Sequence, residues 1–184
     1  MSGVQLVPAA QAPLLARPYY ARGDPGAIVA ALAHVPEVLE VAMPFIGTVL
    51  GPSSLEARTK EIVILRTSAR LGCRFCLQTH TVAARDAGLS PGEVRALRDE
   101  APLTPTFVDP GELALLDWVD AVALGPGPVP AAAREALRSL LGDPALVELT
   151  LLVGATVMLN RFCTALELPT APQVTAKLAA EGLA

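Results

Sequence analysis

The chain has 184 residues, enough for one domain with its own core, and carries a net charge of −4. Apolar residues make up 52% and charged residues 17%, so part of the apolar excess is expected between subunits. Lys60 and Lys177 are the only lysines, and the absence of a basic run excludes a nucleic-acid partner that is gripped by its phosphates.

The longest apolar run, Leu149 to Leu159, is eleven residues, about half a membrane span, so it reads as a core helix and no membrane is expected. The N-terminus has no early Lys or Arg, and Pro8 and Pro13 interrupt its apolar stretch. No secretory signal is expected there. Three cysteines do not make a secreted disulfide framework. They suit a reducing cytosol, which predicts a cytoplasmic protein.

Residues 1–25 hold four prolines and Gly23 and read as an irregular N-terminal arm, expected to lie on a neighbouring subunit. Residues 26–184 read as a single all-α domain. Strand signals with period 2 are nearly absent. The spacing predicts helices over 26–34, 36–50, 54–71, 73–87, 91–99, 110–124, 130–141, 144–167 and 171–181. Ser53 with Glu56, and Ser90 with Glu93 after Pro91, fit capping boxes. Asp109-Pro110-Gly111-Glu112 repeats that logic, and Asp143-Pro144 opens the long apolar helix. Gly51, Gly88 and Gly125 stand where helices should stop. Short connections predict antiparallel neighbours. On the third predicted helix, Ile62, Val63, Leu65 and Ala69 mark one core face.

Gly72 divides the run at its most informative place. A helix ends near Leu71, and a new one opens with Cys73-Arg74-Phe75-Cys76 and reaches His80. Positions i, i+3 and i+7 share a helix face. A C-x-x-C pair at a helix start can cycle between dithiol and disulfide, because the helix N-terminus favours the thiolate. A base one turn on can move the proton. The bland readings are a chance pair or a metal half-site. A structural zinc needs four ligands, and Cys73, Cys76 and His80 supply three, with Cys163 or Glu61 as a fourth. Cys163 otherwise reads as a small buried core residue. His34 has no thiol neighbour in sequence and reads as structural. Asn160-Arg161-Phe162 reads as a polar helix end facing solvent. Glu61 has the weakest case from spacing alone, since Arg58, Lys60 and Arg66 could pair with it on the surface.

Glu61, Cys73-x-x-Cys76-x-x-x-His80 and the following Ala83-Ala84-x-x-Ala87-Gly88-Leu89-Ser90 resemble the alkylhydroperoxidase D-like group of the carboxymuconolactone decarboxylase superfamily. The likeness runs from about Leu55 to Leu97 and returns in the helix of residues 149–168. It implies a compact all-α multi-helix bundle, assembled as a homo-trimer or homo-hexamer. It also implies catalytic roles for Cys76, Cys73, His80 and Glu61, with no bound cofactor or metal. Glu61 would polarise His80, and His80 would take the proton of Cys76. The Cys76 thiolate would attack a small hydroperoxide, and Cys73 would resolve the sulfenic acid to a disulfide. A dithiol, such as a lipoylated protein, would then reduce the enzyme. This sequence has Arg74 and Phe75 where some members of the group carry a His between the cysteines. Alternatives left by the sequence are a decarboxylase of the same superfamily and a redox-responsive helical oligomer without turnover.

Overall fold

Ser90, Pro91 and Glu93 start a helix as the sequence predicts. Ser90 Oγ accepts from the Glu93 N–H at 3.2 Å, and the Glu93 carboxylate accepts from the Ser90 N–H at 2.7 Å, which is a full capping box. Asp109 caps in the same way, its carboxylate accepting from the Glu112 N–H at 3.0 Å. In the computed structural model, which describes residues 2–184, nine α-helices follow in chain order, and no strand occurs among the described residues. They are α1 Arg17–Tyr20, α2 Ala27–Leu32, α3 Pro36–Leu50, α4 Ala57–Arg70, α5 Arg74–Asp86, α6 Pro91–Leu97, α7 Pro110–Leu124, α8 Ala131–Ala165 and α9 Pro172–Ala180. The all-α expectation holds.

Helix α4 is the axis of the bundle, packed by α5, α7 and α8. The sequence reading gave it one core face, but every residue from Ile62 to Ser68 is buried. Neighbours on several sides leave no wet face, and that depends on tertiary arrangement rather than on periodicity. Polar residues in this stretch need partners. Arg66 donates from Nε and Nη2 to both carboxylate oxygens of Asp120, at 2.8 and 2.6 Å, and from Nη1 to Asp99 at 2.6 Å. Its side chain is only 6% exposed, so the bidentate pair is what permits its burial.

The Ser53–Glu56 capping box does not form. Helix α4 begins three residues later than the predicted start, at Ala57, with Glu56 as an N-cap that makes no side-chain cap bond. Ser53 and Ser54 instead donate to the carboxylate of Glu148 on α8. Lys60 Nζ donates to the carbonyls of Val49 at 3.0 Å and Gly51 at 2.6 Å, and pairs with Glu148 at 3.1 Å. A buried cation with three acceptors thus closes the end of α3 and holds the connection.

The predicted break in the long apolar helix is real. Gly142, at φ 76° and ψ 167°, interrupts α8 immediately before Asp143-Pro144. By length and apolar content α8 could cross a membrane. However, it is broken at Gly142, and it lays Leu149, Leu152, Val153, Ala155 and Leu159 into the protein's own core.

The N-terminal arm is not irregular throughout, and it docks on its own chain. Two 3-10 turns, Ala9–Gln11 and Leu14–Ala16, precede α1. The Gly3 N–H donates to the Leu166 carbonyl at 2.8 Å, the Val7 N–H to Ala30 at 3.1 Å, and the Tyr20 hydroxyl to Val7 at 2.8 Å. His34 is structural, as expected: its Nε2 bonds the Gln5 carbonyl at 2.6 Å.

Candidate active site

The site is built at the junction of α4 and α5. Leu71 ends α4, and Gly72 takes φ 65°. The Gly72 N–H donates to Ala69 O at 3.1 Å and the Cys73 N–H to Ser68 O at 3.0 Å, which is a Schellman closure. A left-handed residue is required at position 72, and glycine meets that need without a Cβ penalty. The turn delivers Cys73 as the N-cap of α5, where its Sγ accepts from the Cys76 N–H at 3.4 Å. Cys73 is fully buried and Cys76 is 5% exposed.

About one turn beyond Cys76 along α5, His80 Nδ1 meets Glu61 Oε2 of α4 at 3.0 Å. The pair is only partly open to solvent. Glu61 therefore faces α5 rather than the surface cations beside it in sequence. The carboxylate fixes the ring through Nδ1, so Nε2 is the ring nitrogen not used in this bond.

Cys163, expected from the sequence to be a small buried core residue, joins the pair. It is buried, and it packs with Cys73 and Cys76 in one cluster; the three thiols are within hydrogen-bonding contact of one another. It sits in the last turn of α8, where Glu167, at φ 49°, completes a second Schellman closure. There the Leu168 N–H donates to Cys163 O at 3.0 Å and the Glu167 N–H to Thr164 O at 3.2 Å. The only sequence signal was that the third of three cysteines lies near the end of an apolar helix. The polar triplet before it also departs from expectation. Arg161 is exposed, but Asn160 is fully buried, with Nδ2 donating to Thr156 O at 2.6 Å. The helix end turns that side inward, away from solvent.

The three thiols divide their protons by position. The Cys73 thiol is held well below its ordinary value by hydrogen bonds from Cys163 and Cys76, with the Cys76 N–H and the Thr164 hydroxyl adding to them and burial opposing. Its place at a helix N-terminus acts in the same direction. Cys76 is pushed up by its bonds to Cys163 and Cys73 and by burial. Cys163 is also pushed up, first by its bond to Cys73, and it lies at a helix C-terminus, which disfavours a thiolate. These influences favour negative charge on Cys73 over the other two sulfurs.

Two cavities adjoin the cluster. One of about 470 Å³ has Cys73 and Cys163 in its wall, with Thr164 and Glu167. A larger one of about 750 Å³ lies between the arm, α2 and the start of α9, with Phe75 and Thr79 in its wall. Phe75, between the two cysteines in sequence, borders both. Among the described residues, no three His, Cys, Asp or Glu side chains are placed to share a metal ion.

The carboxymuconolactone decarboxylase family model matches residues 36–121, which span α3 to α7 and include Glu61, both cysteines of the pair and His80. A solved structure of a protein of unknown function from Agrobacterium tumefaciens, proposed to be the antioxidant-defence protein AhpD, is 30% identical. It matches over 77% of this chain and 95% of that one, with a TM-score of 0.68. The chain belongs to the alkylhydroperoxidase D-like group of the carboxymuconolactone decarboxylase superfamily. The uncharacterised protein YnjA of Escherichia coli K12 is 26% identical over 170 residues, covering 89% of this chain and 92% of that protein. An uncharacterised peroxidase-related protein with an AhpD core, from Ralstonia eutropha JMP134, shares 18% identity and a TM-score of 0.81 over 94% of each chain. That likeness establishes the AhpD-like fold over nearly the whole length, well beyond the residues of the family match.

Proposed function

We propose that this AhpD-like protein is a thiol-dependent peroxidase that reduces hydroperoxides through Cys76, Cys73, His80 and Glu61. The observation that carries the reading is the 3.0 Å hydrogen bond between Glu61 of α4 and His80, which lies on the helix that carries the cysteine pair. Cys76 holds its proton against the charge on Cys73, so its attack needs a base, and His80 one turn away is that base. His80 takes the Cys76 proton as sulfur attacks the distal peroxide oxygen. The O–O bond breaks, the departing alkoxide recovers the proton as an alcohol, and Cys76 becomes a sulfenic acid. Cys73, already a thiolate, attacks that sulfur and expels hydroxide, which leaves as water after taking a proton from solvent. A disulfide results, and an external dithiol, such as a lipoylated protein, returns it to two thiols. Glu61 is a positioning residue that acts through His80.

The apolar cavity bordered by Phe75 supports a substrate with an organic group. Turnover by a dithiol suits the reducing cytoplasm. A homo-trimer or homo-hexamer is supported by apolar side chains left exposed on two helices that pack together, Val38, Val41 and Phe45 of α3 with Val147, Leu151 and Met158 of α8. The deciding experiment is peroxide consumption coupled to a dithiol. Wild-type turnover should be lost in Cys76→Ser and strongly reduced in His80→Ala. Full turnover in Cys76→Ser would refute the proposal.

A further inference from the structure

Only one of the two cysteines in the pair borders the small cavity. Cys73 and Cys163 line it together, and Cys76, one turn before His80 on α5, does not. A reductant entering this cavity would therefore meet Cys73 and Cys163 rather than Cys76. Cys163 has no part in the peroxide steps above, yet it is a buried thiol in contact with both members of the pair. What keeps it protonated, in the first place, is the charged Cys73 sulfur. Once Cys73 is tied into a disulfide it carries no charge, and that restraint on Cys163 is gone.

We infer that Cys163 is a third redox residue, which attacks Cys73 of the Cys73–Cys76 disulfide and moves the oxidised bond to Cys73–Cys163 on the cavity wall. The inference rests on the thiol-redox reading of the pair. In the exchange, the Cys163–Cys73 bond forms, the Cys73–Cys76 bond breaks, and the proton of Cys163 passes to the departing Cys76 sulfur. Two cysteines remain oxidised and one reduced, so no outside oxidant is involved. Cys76 is thereby returned to a thiol one turn before His80, while the oxidising equivalent moves to the two cysteines that line the small cavity. The dithiol then attacks the Cys73–Cys163 bond, its second sulfur closes on the first, and both enzyme thiols are regenerated.

The test begins with unmodified protein, oxidised with diamide in one arm and with one equivalent of hydrogen peroxide in the other. Each arm is quenched in acid, alkylated and mapped by peptide mass spectrometry. The diamide arm should contain Cys73–Cys163 with alkylated Cys76 in about a tenth or more of oxidised chains, the share left by an exchange within tenfold of balance. Reduction of diamide-oxidised protein by dithiothreitol, followed by stopped flow, should be about tenfold slower in Cys163→Ser. A map holding only Cys73–Cys76, with Cys163 always alkylated, would overturn the inference, and so would equal reduction rates. Cys73–Cys163 in the diamide arm with no disulfide in the peroxide arm supports the exchange and removes the peroxidase reading instead.

Discussion

The charge on Cys73 can be tested directly, because the structure places it on a different sulfur from the one that attacks peroxide. An ordinary thiol with a value of 9.0 is about 1% ionised at neutral pH. Four donors face the Cys73 sulfur: the Cys163 and Cys76 thiols, the Cys76 N–H and the Thr164 hydroxyl. At about 1.5 kcal/mol each for bonds to a charged acceptor they give about 6 kcal/mol, and the helix N-terminus adds about 0.5 kcal/mol. Burial of the charge takes back about 3 kcal/mol. The net of about 3.5 kcal/mol multiplies the thiolate-to-thiol ratio by a few hundred, so at least about three-quarters of Cys73 is ionised at neutral pH. Far-ultraviolet thiolate absorbance of the reduced protein should show one thiolate per chain at neutral pH. That signal should persist in Cys76→Ser and vanish in Cys73→Ser. The sign for stability follows, since a group depressed in the folded state stabilises it fully above its unfolded value, and the contribution fades as pH falls toward the folded one. A signal that vanishes with Cys76 and survives loss of Cys73 would refute the assignment, and with it the resolving role of a preformed Cys73 thiolate.

Four further outcomes are expected. Glu61→Gln removes the charge that holds His80 Nδ1 at 3.0 Å; peroxide-assay kcat should fall about tenfold to a hundredfold with KM unchanged and an altered pH profile, and an unaltered profile would deny Glu61 its positioning role. Gly72→Ala forces a Cβ onto a residue at φ 65°; denaturant unfolding should show a loss of about 1 kcal/mol, together with slower turnover from a displaced Cys73. Asp120→Ala strips the buried Arg66 of its bidentate partner and should cost about 3 kcal/mol at unchanged denaturant slope; a loss within experimental error would show that Asp99 alone suffices. Glu93 is held at about 2 by hydrogen bonds from Arg58 and Ser90, which outweigh the upward push of burial. Its contribution, about 1 kcal/mol after solvent screening, should be full above its ordinary range and lost as pH falls through about 2, and Glu93→Gln should flatten that part of the stability profile.

The helices were legible because their signals are local. Ser90 with Glu93 and Asp109 with Glu112 cap within one turn, Gly72 and Gly88 mark left-handed stops, and no distant residue is needed for either effect. The one cap that failed, at Ser53, failed for a distant reason: Glu148, far along the chain, took both serine hydroxyls. The same division runs through the site. Cys73, Cys76 and His80 lie on one short helix, so their spacing alone put them together. The reach of Glu61 across to α5, the inward turn of Asn160, the docking of the arm on α2 and the arrival of Cys163 at the cysteine pair all depend on how separate helices pack. Packing is set by the sum of many weak apolar contacts around α4, and no single residue carries its signature. The order of the helices and the grouping of Cys73, Cys76 and His80 were therefore present in the sequence, whereas the tertiary fold decided which sulfur is favoured to carry charge, because burial and the ends of two different helices meet only there.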